Sequence, residues 1–314
     1  MNATTLRLGS RKSPMALAQS GQVADMITAR TGRGVEIVGV TTLGDVSRAL
    51  LTQIGGTGVF VSALREALRS GEVDLAVHSL KDLPTGPAAG ITLAAVPPRD
   101  DPRDALVARD GAKLADLPAG ARIGTGSPRR AAQLLGLRAD LRCVPIRGNA
   151  NTRVGKVTDG ELDGVVLAYA GLVRIGLVHA ITQVFEPEEM LPAPGQGALA
   201  VECRADSSEL AALLEAVTDP ASMAAVTAER SLLEALEAGC SAPVGAYAAG
   251  LDQLRMRAAV MSTDGSRVLR ARGDAPAADA GQLGRALAAE LLQSGARDLI
   301  SVPQAPTGSG NDAQ

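Results

Sequence analysis

Aromatic side chains are nearly absent from this chain of 314 residues. They make up 1% of it, as Phe60, Tyr169, Phe185 and Tyr247, and tryptophan is missing. Proteins that bind single-stranded nucleic acid stack bases on aromatic rings, so that class is disfavoured. The net charge of −3, from 31 basic and 34 acidic residues, also gives no general basic field. We therefore expect neither a nucleic acid nor a membrane surface as partner.

Cysteine and histidine are scarce and scattered. The cysteines are Cys143, Cys203 and Cys240, and the histidines are His78 and His179. No CxxC pair or Cys/His cluster suggests a metal, so no metal site is predicted. The first residues lack the basic-then-apolar pattern of a signal peptide, and the charge-free stretches are too short to span a bilayer. We expect a soluble cytoplasmic protein with reduced thiols.

Apolar strand-like runs alternate with amphipathic helix-like runs, which is typical of a mostly parallel α/β sheet. Two segments that interrupt this alternation, Pro97–Asp104 and Pro192–Gly197, divide the chain. The strand that follows the second segment is expected to return to the first domain. This double crossing predicts two α/β domains with a hinged cleft. From about Ser222 a strong helix to Gly239, weaker strands and a helix over 278–293 predict a small third α/β domain.

Three strand-to-helix turns are rich in Ser, Gly, Asn and Arg: SRKSP from Ser10, GTGSPRR from Gly124 and IRGNANTR from Ile146. Helix N-termini present free N–H groups, and Arg side chains bind carboxylate or phosphate in a bidentate manner. Each turn alone is typical of an ordinary capped helix. Together they indicate a polyanionic ligand in the cleft. No turn matches a P-loop, and GGTGVF resembles a nucleotide loop only loosely.

Two further segments carry reactive side chains. HSLKDLP, from His78, stands where a strand predicted over 73–80 ends, and this is the end at which α/β sheets bind ligands. Asp82 is a candidate acid, base or cation-stabilising carboxylate with Lys81 beside it, or else a turn residue, whereas His78 is expected to pack in the strand. Cys240, in AGCSAPVGAY, is predicted to lie in an exposed turn after a helix. Strand cysteines such as Cys203 are expected to be small buried side chains.

These motifs occur together and in order in one known family. From about residue 5 to residue 302 the chain resembles the porphobilinogen deaminases, also called hydroxymethylbilane synthases. The resemblance rests on RLGSRKSPMALAQS, GGTGVFVSALREAL, DLAVHSLKDLP, RIGTGSPRRAAQL, IRGNANTR, LAYAGLVRIG, LPAPGQGALAVECR and AGCSAPVGAY.

The resemblance implies three α/β domains, of which the first two are hinged like periplasmic binding proteins. They would comprise residues 4–97 with 198–216, residues 103–192, and residues 220–304, followed by a disordered tail over 305–314. It also implies a monomeric transferase with a dipyrromethane cofactor held by a thioether to Cys240. The cofactor would prime the addition of four porphobilinogen units, each losing ammonia, before hydroxymethylbilane is released.

The family's functional positions carry over residue by residue. Asp82 matches the catalytic aspartate, which would stabilise positive charge on a pyrrole nitrogen as a buried carboxylate. Asp45 is a secondary candidate, and Phe60 is expected to pack on a pyrrole ring. Cofactor binding is expected of Cys240, Lys81, Asp82, Thr125, Ser127, Arg129, Arg130, Arg147, Gly148 and Arg153. Substrate binding is expected of Arg11, Ser13, Phe60, Arg147, Arg153 and Arg174.

One loop departs from the family pattern, because Thr57 and Gln53 stand where many relatives have lysine. Contacts made by that loop are therefore in doubt, whereas the core chemistry is not. Two other classes share features with the chain: a solute-binding protein of two domains and a phosphate-transfer enzyme. The missing signal-peptide pattern, the third domain and Cys240 disfavour the first, and the lack of a nucleotide motif or a metal-binding carboxylate set disfavours the second.

Overall fold

The protein is described here by a computed structural model that covers residues 5–41, 58–239 and 242–300. Its strands are β1 (Leu6–Arg11), β2 (Val35–Val40), β3 (Leu75–Ser79), β4 (Ile91–Ala95), β5 (Asp104–Ala108), β6 (Arg122–Gly124), β7 (Arg142–Val144), β8 (Gly164–Ala168), β9 (Gln183–Val184), β10 (Leu199–Arg204), β11 (Val244–Ala249), β12 (Gln253–Met261) and β13 (Val268–Pro276). Its helices are α1 (Pro14–Thr31), α2 (Gly58–Arg69), α3 (Pro128–Leu137), α4 (Ala150–Thr158), α5 (Tyr169–Arg174), α6 (Ser208–Leu214), α7 (Pro220–Ala235), α8 (Ala280–Gln293) and α9 (Ala296–Ile300).

The first sheet has the strand order β2-β1-β3-β10-β4. Strands β1, β2 and β3 are parallel, and β10 inserts antiparallel between β3 and β4. Helix α1 begins after Ser13, whose hydroxyl accepts the N–H of Ala16, and has Pro14 in its first turn. Val23 and Ile27 of this helix join Leu8 of β1 in the core. The expected return of the chain to the first sheet is therefore confirmed.

The second sheet repeats this arrangement with the order β7-β6-β8-β5-β9. Here β5 is the antiparallel strand, next to β8 and β9, while β6 is parallel to β7 and β8. In both sheets the antiparallel strand immediately follows a crossing between the units. The two chain segments that pass between the units, which we call the crossing segments, lie beside each other. The N–H of Asp100 in the first donates to the carbonyl of Gly197 in the second, at 3.3 Å.

The third sheet is an antiparallel meander of β11, β12 and β13. Helices α7 and α8 cover one of its faces, where Leu254 and Met256 of β12 pack with Leu232 and Leu287. The opposite face contacts the second unit through Met261. Two units with similar sheets and a smaller third one confirm the predicted α/β fold class.

Three boundaries differ from expectation. Asp104, predicted as the end of a linker, is the first residue of β5 and is fully buried. The strand expected over 73–80 is shorter because a 3₁₀ turn begins at Leu80. The helix expected to end at Gly239 ends at Ala235. The residue boundaries of the three domains stay predictions, and the tail lies outside the described residues.

Within the described part of the chain, no single helix is long and apolar enough to cross a membrane. One pair of helical segments, 208–217 and 220–235, meets that criterion only together, and the two segments meet at 107°.

Candidate functional site

The cleft side of the first unit ends in the 3₁₀ turn Leu80–Asp82. This turn directly follows β3 and is fixed to the neighbouring chain segment by the hydrogen bond from the Leu80 N–H to the Ala198 carbonyl, 3.0 Å long. Lys81 is half-buried, whereas Asp82 is exposed. The expectation of a buried carboxylate at Asp82 is therefore wrong, because the turn brings this residue to the surface at the carboxyl end of β3.

The second unit contributes the N-terminus of α3. Ser127 caps this helix by accepting the N–H of Arg130, and the Thr125 hydroxyl accepts the N–H of Ser127 at 3.2 Å. The side chains of Arg129 and Arg130 are buried and converge on the carboxylate of Asp104. Arg129 Nη1 lies 2.7 Å from Asp104 Oδ2, and Arg130 Nη2 lies 2.8 Å from Oδ1.

The internal partners of Arg129 bear on its predicted role. Its Nη1 also donates to the carbonyl of Leu191 at 2.5 Å, and the residue is only 3% exposed. This guanidinium therefore ties the start of α3 to β5 and to the chain before the second crossing. Direct binding of a ligand by Arg129 stays a prediction.

Gln196 connects the two sides of the cleft. Its amide oxygen accepts long hydrogen bonds from Lys81 Nζ of the first unit and Arg130 Nη2 of the second, both at 3.4 Å. Its amide nitrogen donates to the carbonyl of Pro102 at 2.7 Å and to Asp104 Oδ1 at 2.9 Å. These donors fix the orientation of the amide, so that its oxygen faces both cations.

The cluster around Gln196 carries more positive than negative charge. Lys81, Arg129 and Arg130 face two carboxylates, those of Asp104 and Asp82. Burial, assisted by repulsion from Arg130, lowers the pKa of Lys81 to about 8. Burial opposes ionisation of Asp104, but the two guanidiniums hold its pKa far below the ordinary value. An excess of partly desolvated positive charge favours the binding of an anion.

Two more arginines come from the turn before α4. Arg147 is exposed. Arg153 is half-buried and donates from Nε to the carbonyl of Gly148 at 2.9 Å. Burial and then the charge of Arg130 lower the pKa of Arg153, so this guanidinium belongs to the same electrostatic cluster. Asn149 caps the helix by accepting the N–H of Thr152.

Two of the other predicted residues, Ser13 and Arg174, form structural contacts in the described chain. Ser13 caps α1, and Arg11, the last residue of β1, is half-buried. Arg174 joins the two crossing segments: its Nε donates to Asp100 Oδ2 at 2.9 Å and its Nη2 to the carbonyl of Gly197 at 2.8 Å. Burial lowers the pKa of Arg174, which Asp100 partly opposes.

Several predicted positions cannot be placed. Asp45, Gln53, Thr57 and Cys240 lie outside the described residues, as does the side chain of Phe60. His78 is buried and its Nε2 lies 3.2 Å from Glu202 Oε2, which confirms the prediction of a packed strand residue. Among the described residues, no group of His, Cys, Asp or Glu is arranged to hold a metal ion.

Sequence reasoning missed Asp104 and Gln196. Asp104 was hidden in a polar, proline-rich segment that resembles a linker. Gln196 stands in the PAPGQG segment, which was read only as an interruption of the alternation and a family motif. The one available signal was its position between two glycines at a crossing, where the chain runs close to its neighbour. A Cβ at Gly197, which has φ +87°, would lie 2.4 Å from the Asp100 carbonyl.

The fold and the cluster define a class: an α/β protein of two similar units and a smaller third one, with a cluster of cations where the first two units meet. The sequence profile of "Porphobilinogen deaminase, dipyromethane cofactor binding domain" matches residues 6–212, and that of "Porphobilinogen deaminase, C-terminal domain" matches residues 223–293. The chain belongs to the porphobilinogen deaminase family. It is accordingly a transferase of tetrapyrrole biosynthesis that uses a dipyrromethane cofactor.

Similar proteins span nearly the whole chain. Porphobilinogen deaminase of Thermobifida fusca (strain YX) is 60% identical over 311 residues, which cover 96% of this chain and 97% of that protein. Porphobilinogen deaminase 1 of Streptomyces coelicolor is 55% identical over 314 residues, covering 96% and 98%. Among solved structures, a periplasmic substrate-binding protein of an ABC transporter from Coxiella burnetii matches with a TM-score of 0.44 and 18% identity, covering 70% of this chain and 94% of that one.

Proposed function

We propose that the cleft around Gln196 binds the acetate and propionate groups of dipyrromethane and of porphobilinogen, with Asp82 as the catalytic carboxylate. The observation that carries this proposal is the excess of positive charge formed by Lys81, Arg130 and Arg153 beside an exposed carboxylate. Each pyrrole unit brings two carboxylates, so a cofactor with a growing chain suits a site in which cations outnumber carboxylates.

The residues fit the cofactor by charge and by hydrogen-bonding capacity. Lys81 and Arg130 meet at the amide oxygen of Gln196, which lies 3.4 Å from each, so two cations stand side by side where a ligand carboxylate could approach. Arg147 adds an exposed guanidinium. When bound, dipyrromethane supplies a pyrrole carbon that acts as the nucleophile for chain extension. Cys240 is proposed to hold it through a thioether bond.

Asp82 is proposed to act on the incoming porphobilinogen. Its carboxylate oxygens accept the pyrrole N–H and stabilise the positive charge that develops there when the C–N bond of the aminomethyl group breaks and ammonia leaves. The surrounding cations hold the substrate carboxylates away from Asp82, so the only anion at the pyrrole nitrogen is the catalytic one. Arg11, Ser13 and Arg174 are proposed as further substrate contacts.

The same proposal covers the setting of the reaction. We infer a monomer that acts in the cytoplasm, with the predicted domains 4–97 plus 198–216, 103–192 and 220–304. The two sheets that meet at the crossings support the first two domains, and the separate core of the third sheet supports the last.

Replacement of Asp82 by Asn tests the catalytic role. We expect turnover of porphobilinogen to fall by at least about 10²-fold, as for loss of one stabilising group in a transition state. The melting temperature should stay unchanged, since Asp82 is exposed. Asp206→Asn, at an exposed aspartate of the first unit, is the matched control. Normal turnover by Asp82→Asn would overturn the assignment.

Intact mass under denaturing conditions tests the attachment site. Purified protein should exceed its sequence mass by one dipyrromethane, and Cys240→Ser should lack that increment. Cys143→Ser is the control, because Cys143 is half-buried in β7 of the second unit and its thiol lies 3.8 Å from the Ala131 carbonyl. An increment that persists in Cys240→Ser would show that another residue holds the cofactor.

A further inference from the structure

A second cavity lies away from the cleft, between the second unit and the third sheet. Its volume is about 840 Å³, within the range of small-molecule sites. One wall is formed by α3 and residues 187–191, and the other by the open face of β12 and β13. We call it the arginine groove, because the sheet side carries Arg257, Arg270 and Arg272.

The register of the sheet places these arginines together. Arg257 of β12 is directly opposite Arg272 of β13, and Arg270 is opposite Ala259, two residues along on the same face. Like charges directly opposite each other destabilise a strand pair. Arg255, the next residue of β12 on this face, is opposite Asp274, as stability alone would favour. The fold therefore gains nothing from the Arg257–Arg272 pair.

The acidic residues of the groove leave part of this charge unneutralised. Glu188 forms an ion pair with Arg257. Glu189 accepts the backbone N–H of Glu186 at 3.0 Å, and Glu290 also lines the cavity. Within the described part of the chain, Arg270 and Arg272 form no ion pair or hydrogen bond with another side chain. Both are exposed, so their guanidiniums are accessible to a ligand.

The inner end of the groove is apolar and rigid. Met261 and Ala259 of β12 pack against Ala132 and Leu191 of the second unit. The turn between β12 and β13 approaches α3 so closely that a Cβ on Gly265 would lie 2.3 Å from the Ala132 carbonyl. These contacts fix the two walls of the groove at this end, so the apolar surface is preformed. The arginines stand at the open end.

We propose that the arginine groove binds an organic anion, with its apolar body beside Met261 and Ala259 and its anionic head on Arg270 and Arg272. Guanidinium groups bind such heads by charge-assisted hydrogen bonds, and a preformed apolar wall requires no reorganisation. The site is separate from the cleft and does not depend on the function assigned to it. Its ligand would connect the second and third units.

Anilinonaphthalene sulfonate tests this inference, since it combines an apolar ring system with one anionic head and fluoresces when its rings leave water. Titrated onto the holoenzyme, whose cleft holds the cofactor, it should bind saturably with one high-affinity site. The double variant Arg270→Gln/Arg272→Gln should weaken that site about tenfold or more. Arg255→Gln, on the same face of β12, should leave the dissociation constant unchanged.

Two controls keep the result specific. The double variant should retain wild-type melting temperature and turnover, because both arginines are exposed and lie outside the cleft. The inference is overturned if the wild type shows no saturable binding below about 1 mM. It is equally overturned if the wild type, the double variant and Arg255→Gln bind with the same affinity.

Discussion

Replacing Glu229 by Gln should destabilise the protein far more than any change at an exposed ion pair. Glu229 lies on α7 and is fully buried, yet its carboxylate accepts four hydrogen bonds. Arg99 Nη1 and the Ala248 N–H lie 2.7 and 2.8 Å from Oε1. Arg99 Nη2 and the Gly195 N–H lie 3.0 and 2.7 Å from Oε2. One side chain thus connects the third unit to both crossing segments.

The expected loss of stability follows from the four N–H groups that donate to the Glu229 carboxylate. A Gln side chain has nearly the same size but only one carbonyl oxygen, so its NH₂ group would face N–H donors at the other position. The guanidinium of Arg99, whose side chain is 8% exposed, would also lose its counterion. Breaking a buried pair from one side costs about 3–5 kcal/mol. For a chain of this size that corresponds to a fall in melting temperature on the order of 10 °C.

The assay is thermal unfolding of Glu229→Gln beside Glu188→Gln. Glu188 pairs with Arg257 at the surface, where the two side chains are 61% and 52% exposed. Such pairs contribute about 1 kcal/mol or less. The control should therefore melt within about 3 °C of wild type. Equal shifts for both variants, or a Glu229→Gln protein that melts like wild type, would refute the argument that burial and complete hydrogen bonding make this carboxylate essential.

Two further predictions concern the cleft. In cofactor-free protein Lys81 should titrate near pH 8. NMR can follow this titration because the chain has only four lysines. A pKa above 10 for Lys81 would contradict the burial argument. Because the folded state then binds this proton less tightly than the unfolded chain, Lys81 should make the free energy of unfolding rise with pH between about 8 and 10.5. Gln196→Leu should lower that free energy by about 1–3 kcal/mol, since the Pro102 carbonyl and Asp104 lose a donor. An unchanged urea midpoint would show that these hydrogen bonds contribute nothing.

Local sequence patterns predicted the elements whose partners are near in the chain. The apolar run of β3, the capped start of α1 and the long helix α7 were found from spacing and capping residues alone. Strand β5 was found as DALVARD, but its first residue, Asp104, also fell in the predicted linker, a segment with three prolines, so its burial was not expected. It is stabilised by pairing with β8, some 60 residues later, and by arginines of α3, and a local pattern contains neither.

The sequence named candidate residues for the site but not their arrangement. The family motifs predict Lys81, Asp82, Arg130 and Arg153, and the structure brings Lys81 and Arg130 to one amide. The motifs treat Arg129 and Arg130 as equals, and both are buried, paired with Asp104 and bonded to a backbone carbonyl, Leu191 for Arg129 and Val166 for Arg130. A motif does not reveal these partners, because they are distant in the sequence.

The contacts at the crossings also indicate how the two units can move apart. Buried apolar surfaces resist separation because water must cover them, whereas polar groups can exchange one partner for another. Between the units, Gln196 holds Lys81 and Arg130 by hydrogen bonds of 3.4 Å, while its bonds to Pro102 and Asp104 are 2.7 and 2.9 Å long. The long bond to Lys81 should break first, because hydrogen bonds weaken with distance. Gln196 would then stay with the second unit, and Lys81 would leave with the first, carrying Asp82 beside it.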